Sequence, residues 1–193
     1  MHRLLVVCTA NVCRSPVAAA FLRRELARQP STDEDDCWVV TSAGTGQYTA
    51  DVDRATIRAA ADVGLDIKGH RPRVLDPNIL ANDGADLVLT MARSHLPAVV
   101  AVDPTAWPRT FTLKELARRA TQAGGPDPGE DFGAWRGRMA TGRLAREMLH
   151  ADPSDDVADP YGLPRRHHDA MVAEVGAEIQ RLVRSGPWCA SRG

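Results

Sequence analysis

Four apolar residues in a row, Leu4-Leu5-Val6-Val7, run into Cys8, and after a five-residue loop Arg14-Ser15-Pro16 opens an alanine-rich stretch. A short continuous apolar run bounded by a turn reads as a parallel strand covered on both faces. Ser15 is suited to cap the helix that follows, and Pro16 suits its first turn, where the missing N–H is an orphan anyway. Val17, Ala18, Phe21, Leu22, Glu25 and Leu26 then recur at helical spacing, with the apolar side chains on one side. Strand, loop and helix in this order return the chain to start a second parallel strand.

The pattern continues. A strand is expected over 38–42, ended by Ala43-Gly44-Thr45-Gly46. A helix begins at Asp53 and stops at Gly64, where a left-handed cap is easy for glycine. Further strands are expected over 86–91 and 109–112, and helices over 113–120 and 168–184. Strands separated by helical patterns specify an α/β fold with a parallel sheet and helices on both faces. Ligands of such sheets bind at the carboxyl ends of the strands, where Cys8 lies. Residues 31–36 are polar and acidic and read as a solvated loop.

Residues 118–158 exceed an ordinary connection of about 4–6 residues several-fold. Gly124-Gly125-Pro126-Asp127-Pro128-Gly129 is a flexible break. Phe132, Trp135, Met139, Leu144 and Met148 follow at helical spacing, weakened by Gly137 and Gly142. The expectation is one domain over 1–193 with a helical insertion at about 118–158, packed beside the carboxyl-end face. There the insertion either narrows substrate choice or simply packs its apolar side on the domain.

A net charge of −1 gives no reason to expect nucleic acid or a membrane surface as a partner. No apolar run approaches the roughly 20 residues of a membrane span. The start reaches Cys8 too soon for a signal peptide, and four cysteines do not make a secreted disulfide framework. A cytoplasmic protein is expected.

The chemistry centres on Cys8. A helix amino terminus and a turn of backbone N–H groups favour an anion. Arg14 adds a planar fork that matches two phosphate oxygens. The same field favours a thiolate at Cys8, and a thiolate beneath a phosphorus atom is a nucleophile for phosphoryl transfer. Expelling an alkoxide or phenoxide needs an acid, and Asp159 in Asp159-Pro160-Tyr161-Gly162 sits on a loop stiffened by proline. The scheme requires no metal and no cofactor.

These residues resemble the low-molecular-weight protein tyrosine phosphatases. Cys8-Thr9-Ala10-Asn11-Val12-Cys13-Arg14-Ser15-Pro16 matches their phosphate loop. Ser42-Ala43-Gly44, Gly69-His70-Arg71-Pro72-Arg73, Ala85-Asp86-Leu87-Val88-Leu89-Thr90-Met91 and Asp159-Pro160-Tyr161 match later blocks in the same order. The resemblance implies a four-stranded parallel sheet. It also implies hydrolysis of protein phosphotyrosine through a phosphocysteine, with Cys8 as nucleophile, Arg14 binding phosphate and Asp159 as general acid and then base. Phosphate or sulfate would occupy the loop formed by Thr9, Ala10, Asn11, Val12, Cys13 and Ser15, with Tyr48 and Tyr161 as pocket walls. Ser15 would donate to the thiolate. Asn11, Ser42 and His70 would hold the loop's shape, although His70, read alone after Gly69 in a polar turn, suits a surface role.

The sequence departs from the family pattern in places. Ala10 stands where glycine is usual, so the loop there must avoid or tolerate a positive φ. Gly162 replaces a second aromatic. Asp159-Pro160-Tyr161-Gly162 and Phe111-Thr112-Leu113-Lys114-Glu115 also resemble a bacterial branch that includes arginine phosphatases. Those members carry threonine where this chain has Val12, which favours phosphotyrosine. Cys13 either traps an oxidised Cys8 as a disulfide or fills the underside of the loop. Cys37 and Cys189 have no sequence neighbour to pair with, which weighs against arsenate reduction. A non-catalytic phosphoprotein-binding module fits poorly with Cys8, Arg14 and Asp159 all present.

Overall fold

The computed structural model describes residues 1–29, 38–47, 51–81, 84–144 and 153–188. Four strands, β1 (His2–Cys8), β2 (Trp38–Gly44), β3 (Leu87–Thr90) and β4 (Thr110–Thr112), form one sheet in the order β2-β1-β3-β4. Every pairing is parallel. The helices are α1 (Arg14–Leu26), α2 (Arg54–Asp62), α3 (Pro77–Ala81), α4 (Leu96–Val102), α5 (Leu113–Gln122), α6 (Phe132–Ala140) and α7 (Arg165–Arg184). None of the described helices is long and apolar enough to cross a membrane.

Side chains of β1 alternate between two cores, as a strand's period of two requires. Leu4, Val6 and Cys8 pack with α1, α5 and α7, whereas Leu5 and Val7 pack with Leu75, Leu80, Val88 and Val99. The expected sheet with helices on both faces is therefore present. Asp53 caps α2 by accepting from the N–H groups of Ala55 and Thr56, and the chain leaves that helix through Gly64 at φ 74°.

Two readings are corrected. Ser15 does not cap α1: the helix begins at Arg14, its N-cap is Cys13, and no side chain closes that end. The hydroxyl is engaged in the site instead, and the unclosed N-terminus faces an anion cradle.

The helix of the insertion also lies elsewhere, although its last residues, 155–157, return to the site. Phe132 packs on Trp38 and His2, with ring centroids 4.8 and 5.1 Å apart, and Trp135 packs on Trp188 at 5.7 Å. His2 and Trp38 open β1 and β2. At about 3.3 Å per residue this puts α6 roughly 20 Å from the carboxyl ends. Arg143, which follows α6, pairs with Glu115 at 2.8 Å and donates to Thr110 O at 2.7 Å, at the start of β4. Trp135 is fully buried, so the apolar face of α6 is satisfied at the amino end of the sheet. The loop over 31–36, Cys37, Tyr48, Met148 and Cys189 lie outside the described residues.

Helices α3 and α4 have no counterpart in the sequence reading. They are five and seven residues long, too short to show a period, and the β-branched Val99-Val100 obscures α4. Helix α7 starts at Arg165, three residues before the expected start at 168, because 165–167 are polar and show no apolar period.

Candidate active site

Register brings the site together. Cys8 ends β1 opposite Gly44, the end of β2. The loop after Cys8 presses on Gly44 so closely that a Cβ there would stand 2.8 Å from Thr9 O and 3.0 Å from Ala10 C. Thr45 and Gly46 then donate to the carbonyls of Cys8 and Thr9, both at 2.9 Å.

Asn11 holds the loop's shape. It is the one described non-glycine residue at positive φ, 58°, a conformation that asparagine tolerates better than most. Ala10 is thus spared the left-handed conformation. The Asn11 amide uses its whole hydrogen-bonding capacity. Nδ2 donates to Ser15 Oγ at 2.8 Å and to Ser42 Oγ at 2.9 Å. Oδ1 accepts from Arg73 N and from His70 Nε2, both at 3.1 Å. The backbone N–H of Arg73 can only donate, which fixes the amide's orientation and puts the His70 proton on Nε2. Burial, first, and the charge of nearby arginines pull the His70 imidazole below its ordinary range, while its bond to Asn11 O opposes this. Ser42 and His70 therefore both reach Asn11, and Arg73 is a further support to which the sequence reading gave no role.

Ser15 Oγ, having accepted from Asn11, is free to donate to Cys8 Sγ, which lies 3.0 Å away. The Asn11 N–H donates to the same sulfur at 3.3 Å. Cys8 is buried, and two donors converge on it, an arrangement suited to a thiolate.

Arg14 is buried and spans the cleft. Its Nη2 donates to Thr9 Oγ1 at 2.9 Å and to Asp159 Oδ2 at 2.6 Å, and Nη1 reaches Val157 O at 3.4 Å. Its Nε is buried with no partner among the described residues. An unsatisfied donor on a buried guanidinium is costly, and an anion in the cleft would relieve it. The cleft, ≈ 110 Å³, is lined by Cys8, Thr9, Ala10, Val12, Cys13, Arg14, Asp159 and Tyr161. Asp159 Oδ1 accepts from Tyr161 N at 3.2 Å, and the Tyr161 side chain stands exposed at the rim. Cys13 is buried and its thiol is pushed up to about 12, by burial first and then by the charges of Asp53, Asp159 and Cys8, with a Thr56 hydrogen bond opposing them. That environment favours a neutral thiol.

His95 was not foreseen. Its Nε2 lies 3.0 Å from Thr9 Oγ1. Burial and the charge of Arg14 lower its pKa to about 4, so the ring is neutral. A histidine behind a strand inside Ala92-Arg93-Ser94-His95-Leu96 carries no local signal of this contact. Among the described residues no group of three or more His, Cys, Asp or Glu is placed to hold a metal ion.

A family model described as low molecular weight phosphotyrosine protein phosphatase matches residues 3–134. The chain is 34% identical over 111 residues to the low molecular weight protein-tyrosine-phosphatase Etp of Escherichia coli strain K12, covering 57% of this chain and 68% of that protein. It is 33% identical over 184 residues to the protein-arginine-phosphatase of Geobacillus stearothermophilus, covering 94% of this chain and 93% of that one. Among solved structures, the tyrosine phosphatase Wzb from Escherichia coli K30 in complex with sulphate superimposes with a TM-score of 0.63 at 23% identity, over 94% of this chain and 96% of that one.

Proposed function

Because the chain belongs to the low molecular weight phosphotyrosine protein phosphatase family, a family of phosphoric monoester hydrolases, we propose that it removes phosphate from tyrosine side chains of proteins through a phosphocysteine at Cys8. The observation that carries this reading is the convergence of Cys8, Arg14 and Asp159 on one cleft.

In the first step Cys8 Sγ attacks phosphorus and the bond to the phenolic oxygen breaks. Once the phosphoryl group displaces it from Arg14, the Asp159 carboxylate takes up a proton from solvent and gives it to that oxygen, which spares the enzyme the expulsion of a phenoxide. The hydroxyl of Ser15 and the N–H of Asn11 hold the sulfur as thiolate before attack. Arg14 exchanges Asp159 for phosphoryl oxygens and offers its unpartnered Nε to them. Donors already in place when charge spreads over those oxygens cost no reorganisation. In the second step water attacks the phosphocysteine, Asp159 takes its proton, and the sulfur leaves as thiolate with inorganic phosphate as the product.

Val12 lines the cleft, and the resemblance implies a threonine, with its hydroxyl, at this place in arginine-specific members. With Tyr161 at the rim, the walls offer apolar and aromatic contact to a phenyl ring. The second reading, hydrolysis of phosphoarginine, is favoured by the match to the Geobacillus arginine phosphatase along nearly the whole chain. Specificity constants for matched phosphotyrosine and phosphoarginine peptides decide between them. A phosphotyrosine preference is expected, and Val12→Thr should shift the ratio toward arginine. A wild-type preference for phosphoarginine overturns the tyrosine assignment.

A further inference from the structure

One short 3₁₀ turn, Arg93–His95, follows β3 and touches both loops of the site. On one side His95 Nε2 meets Thr9 Oγ1 at 3.0 Å, and Thr9 accepts from Arg14 Nη2 at 2.9 Å. On the other side the Arg93 N–H donates to Asp156 Oδ1 at 2.7 Å, and its guanidinium pairs with Asp155 at 3.0 Å. Asp155 is buried and also pairs with Arg118 at 3.1 Å. Lys114 Nζ donates to Asp156 O at 3.1 Å, and Val157 N to Met91 O at 2.8 Å. Residues 155–157 are thus fastened to the core, while the Asp159 side chain, two residues on, is 45% exposed.

Stability does not account for this arrangement. A buried ion pair roughly breaks even against its desolvation. Placement does account for it, since proton transfer needs the acid within about 3 Å of the leaving oxygen, and a 1 Å error costs about 100-fold.

We propose that the turn Arg93–His95 registers the acid loop against the nucleophile loop, with Arg93 and Asp155 positioning Asp159 and with His95, through Thr9, positioning Arg14. The proposal rests on the reading of Asp159 as general acid. None of Arg93, Asp155 or His95 needs to touch substrate, and each acts through a neighbour.

The two arms leave different signatures. kcat/KM reports the step that breaks the bond to the leaving group, so it is compared for phenyl phosphate, a poor leaving group, and p-nitrophenyl phosphate, a good one. Asp155→Asn lowers kcat/KM for phenyl phosphate about tenfold and for p-nitrophenyl phosphate no more than about twofold, without weakening inhibition by inorganic phosphate. His95→Phe lowers both substrates alike and weakens phosphate inhibition about fivefold. Folding of each variant is checked by circular dichroism. If Asp155→Asn does not fold, Arg93→Lys is read in the same way. Equal losses on both substrates from the acid-loop variant, or no loss, overturn the proposal, as does unchanged phosphate inhibition in His95→Phe. Asp159→Asn is the control, and it must steepen the leaving-group dependence further. If it does not, the assignment of the acid falls, and the proposal with it.

Discussion

The Arg14 guanidinium and the Asp159 carboxylate meet at 2.6 Å across the cleft, so the proposed phosphate binder and the proposed general acid hold each other. A phosphate dianion has to displace one to reach the other. Under the proposed mechanism the carboxylate is freed to act as the acid when an oxyanion takes its place on Arg14.

Removing that charge separates binding from turnover. Asp159→Asn is expected to tighten inhibition by inorganic phosphate several-fold, because Arg14 no longer has an anionic competitor. The same variant lowers kcat/KM for phenyl phosphate about 100-fold or more, the usual loss for a missing general acid. Steady-state inhibition and turnover measured on one preparation check both. Weaker phosphate inhibition would show that the carboxylate does not compete for Arg14.

Gly44 tests the packing of the nucleophile loop on β2. The atoms that an added methyl group would meet are Thr9 O at 2.8 Å and Ala10 C at 3.0 Å, both backbone, which cannot swing aside. Gly44→Ala is expected to destabilise the fold by about 1–3 kcal/mol and to weaken phosphate binding by displacing the cradle. Urea denaturation with and without phosphate measures the two effects. A neutral substitution would mean that the loop has room to move off β2.

His95 gives stability a pH dependence with a definite sign. Folded, it binds a proton only near pH 4, whereas an ordinary histidine does so near 6.5. As pH falls the unfolded chain takes up the proton first. The contribution is whole above pH 6.5 and is lost progressively down to about pH 4, amounting to roughly 3 kcal/mol at about 1.4 kcal/mol per pH unit. Unfolding free energies for wild type and His95→Gln between pH 4 and 7 should converge toward the acid end. Parallel curves would show that the ring is not held neutral.

The sheet and the nucleophile loop were legible because their signals are local. An apolar run makes β1, and Cys8 and Arg14 lie on one continuous turn, so the loop that joins them brings both to the same cleft. Asp159 was legible from its proline-stiffened loop and from the resemblance, but nothing in the spacing ties it to Cys8, since it comes from another part of the chain. Ser15 was read as a helix cap from a rule that ignores competing partners. In the fold Cys8 and Asn11 claim the hydroxyl. His95 and Arg73 were missed because contacts across 86 and 62 residues leave no trace in spacing. The insertion was placed by its neighbour in sequence, Asp159. Its aromatic face instead found the amino end of the sheet, where Trp38, Trp188 and His2 offered apolar surface.

That location makes α6 a structural element. Trp135 is fully buried, with Phe132 and Trp188 against it at 5.8 and 5.7 Å. Trp135→Ala is expected to cost about 3–5 kcal/mol of stability, the usual result of truncating a buried tryptophan. In the fraction that stays folded, relative kcat/KM among phosphopeptides should be unchanged. A shift in peptide preference would show that the insertion reaches the site.

Covalent catalysis at Cys8 is tested by rapid quench in acid during turnover of p-nitrophenyl phosphate. Mass spectrometry of the peptide containing Cys8 should find a phosphoryl adduct that forms with the release of p-nitrophenol and decays at the rate of phosphate release, and Cys8→Ser should abolish turnover. Sustained turnover by Cys8→Ser, or wild-type turnover with no adduct at any quench time, would rule out a phosphocysteine at Cys8.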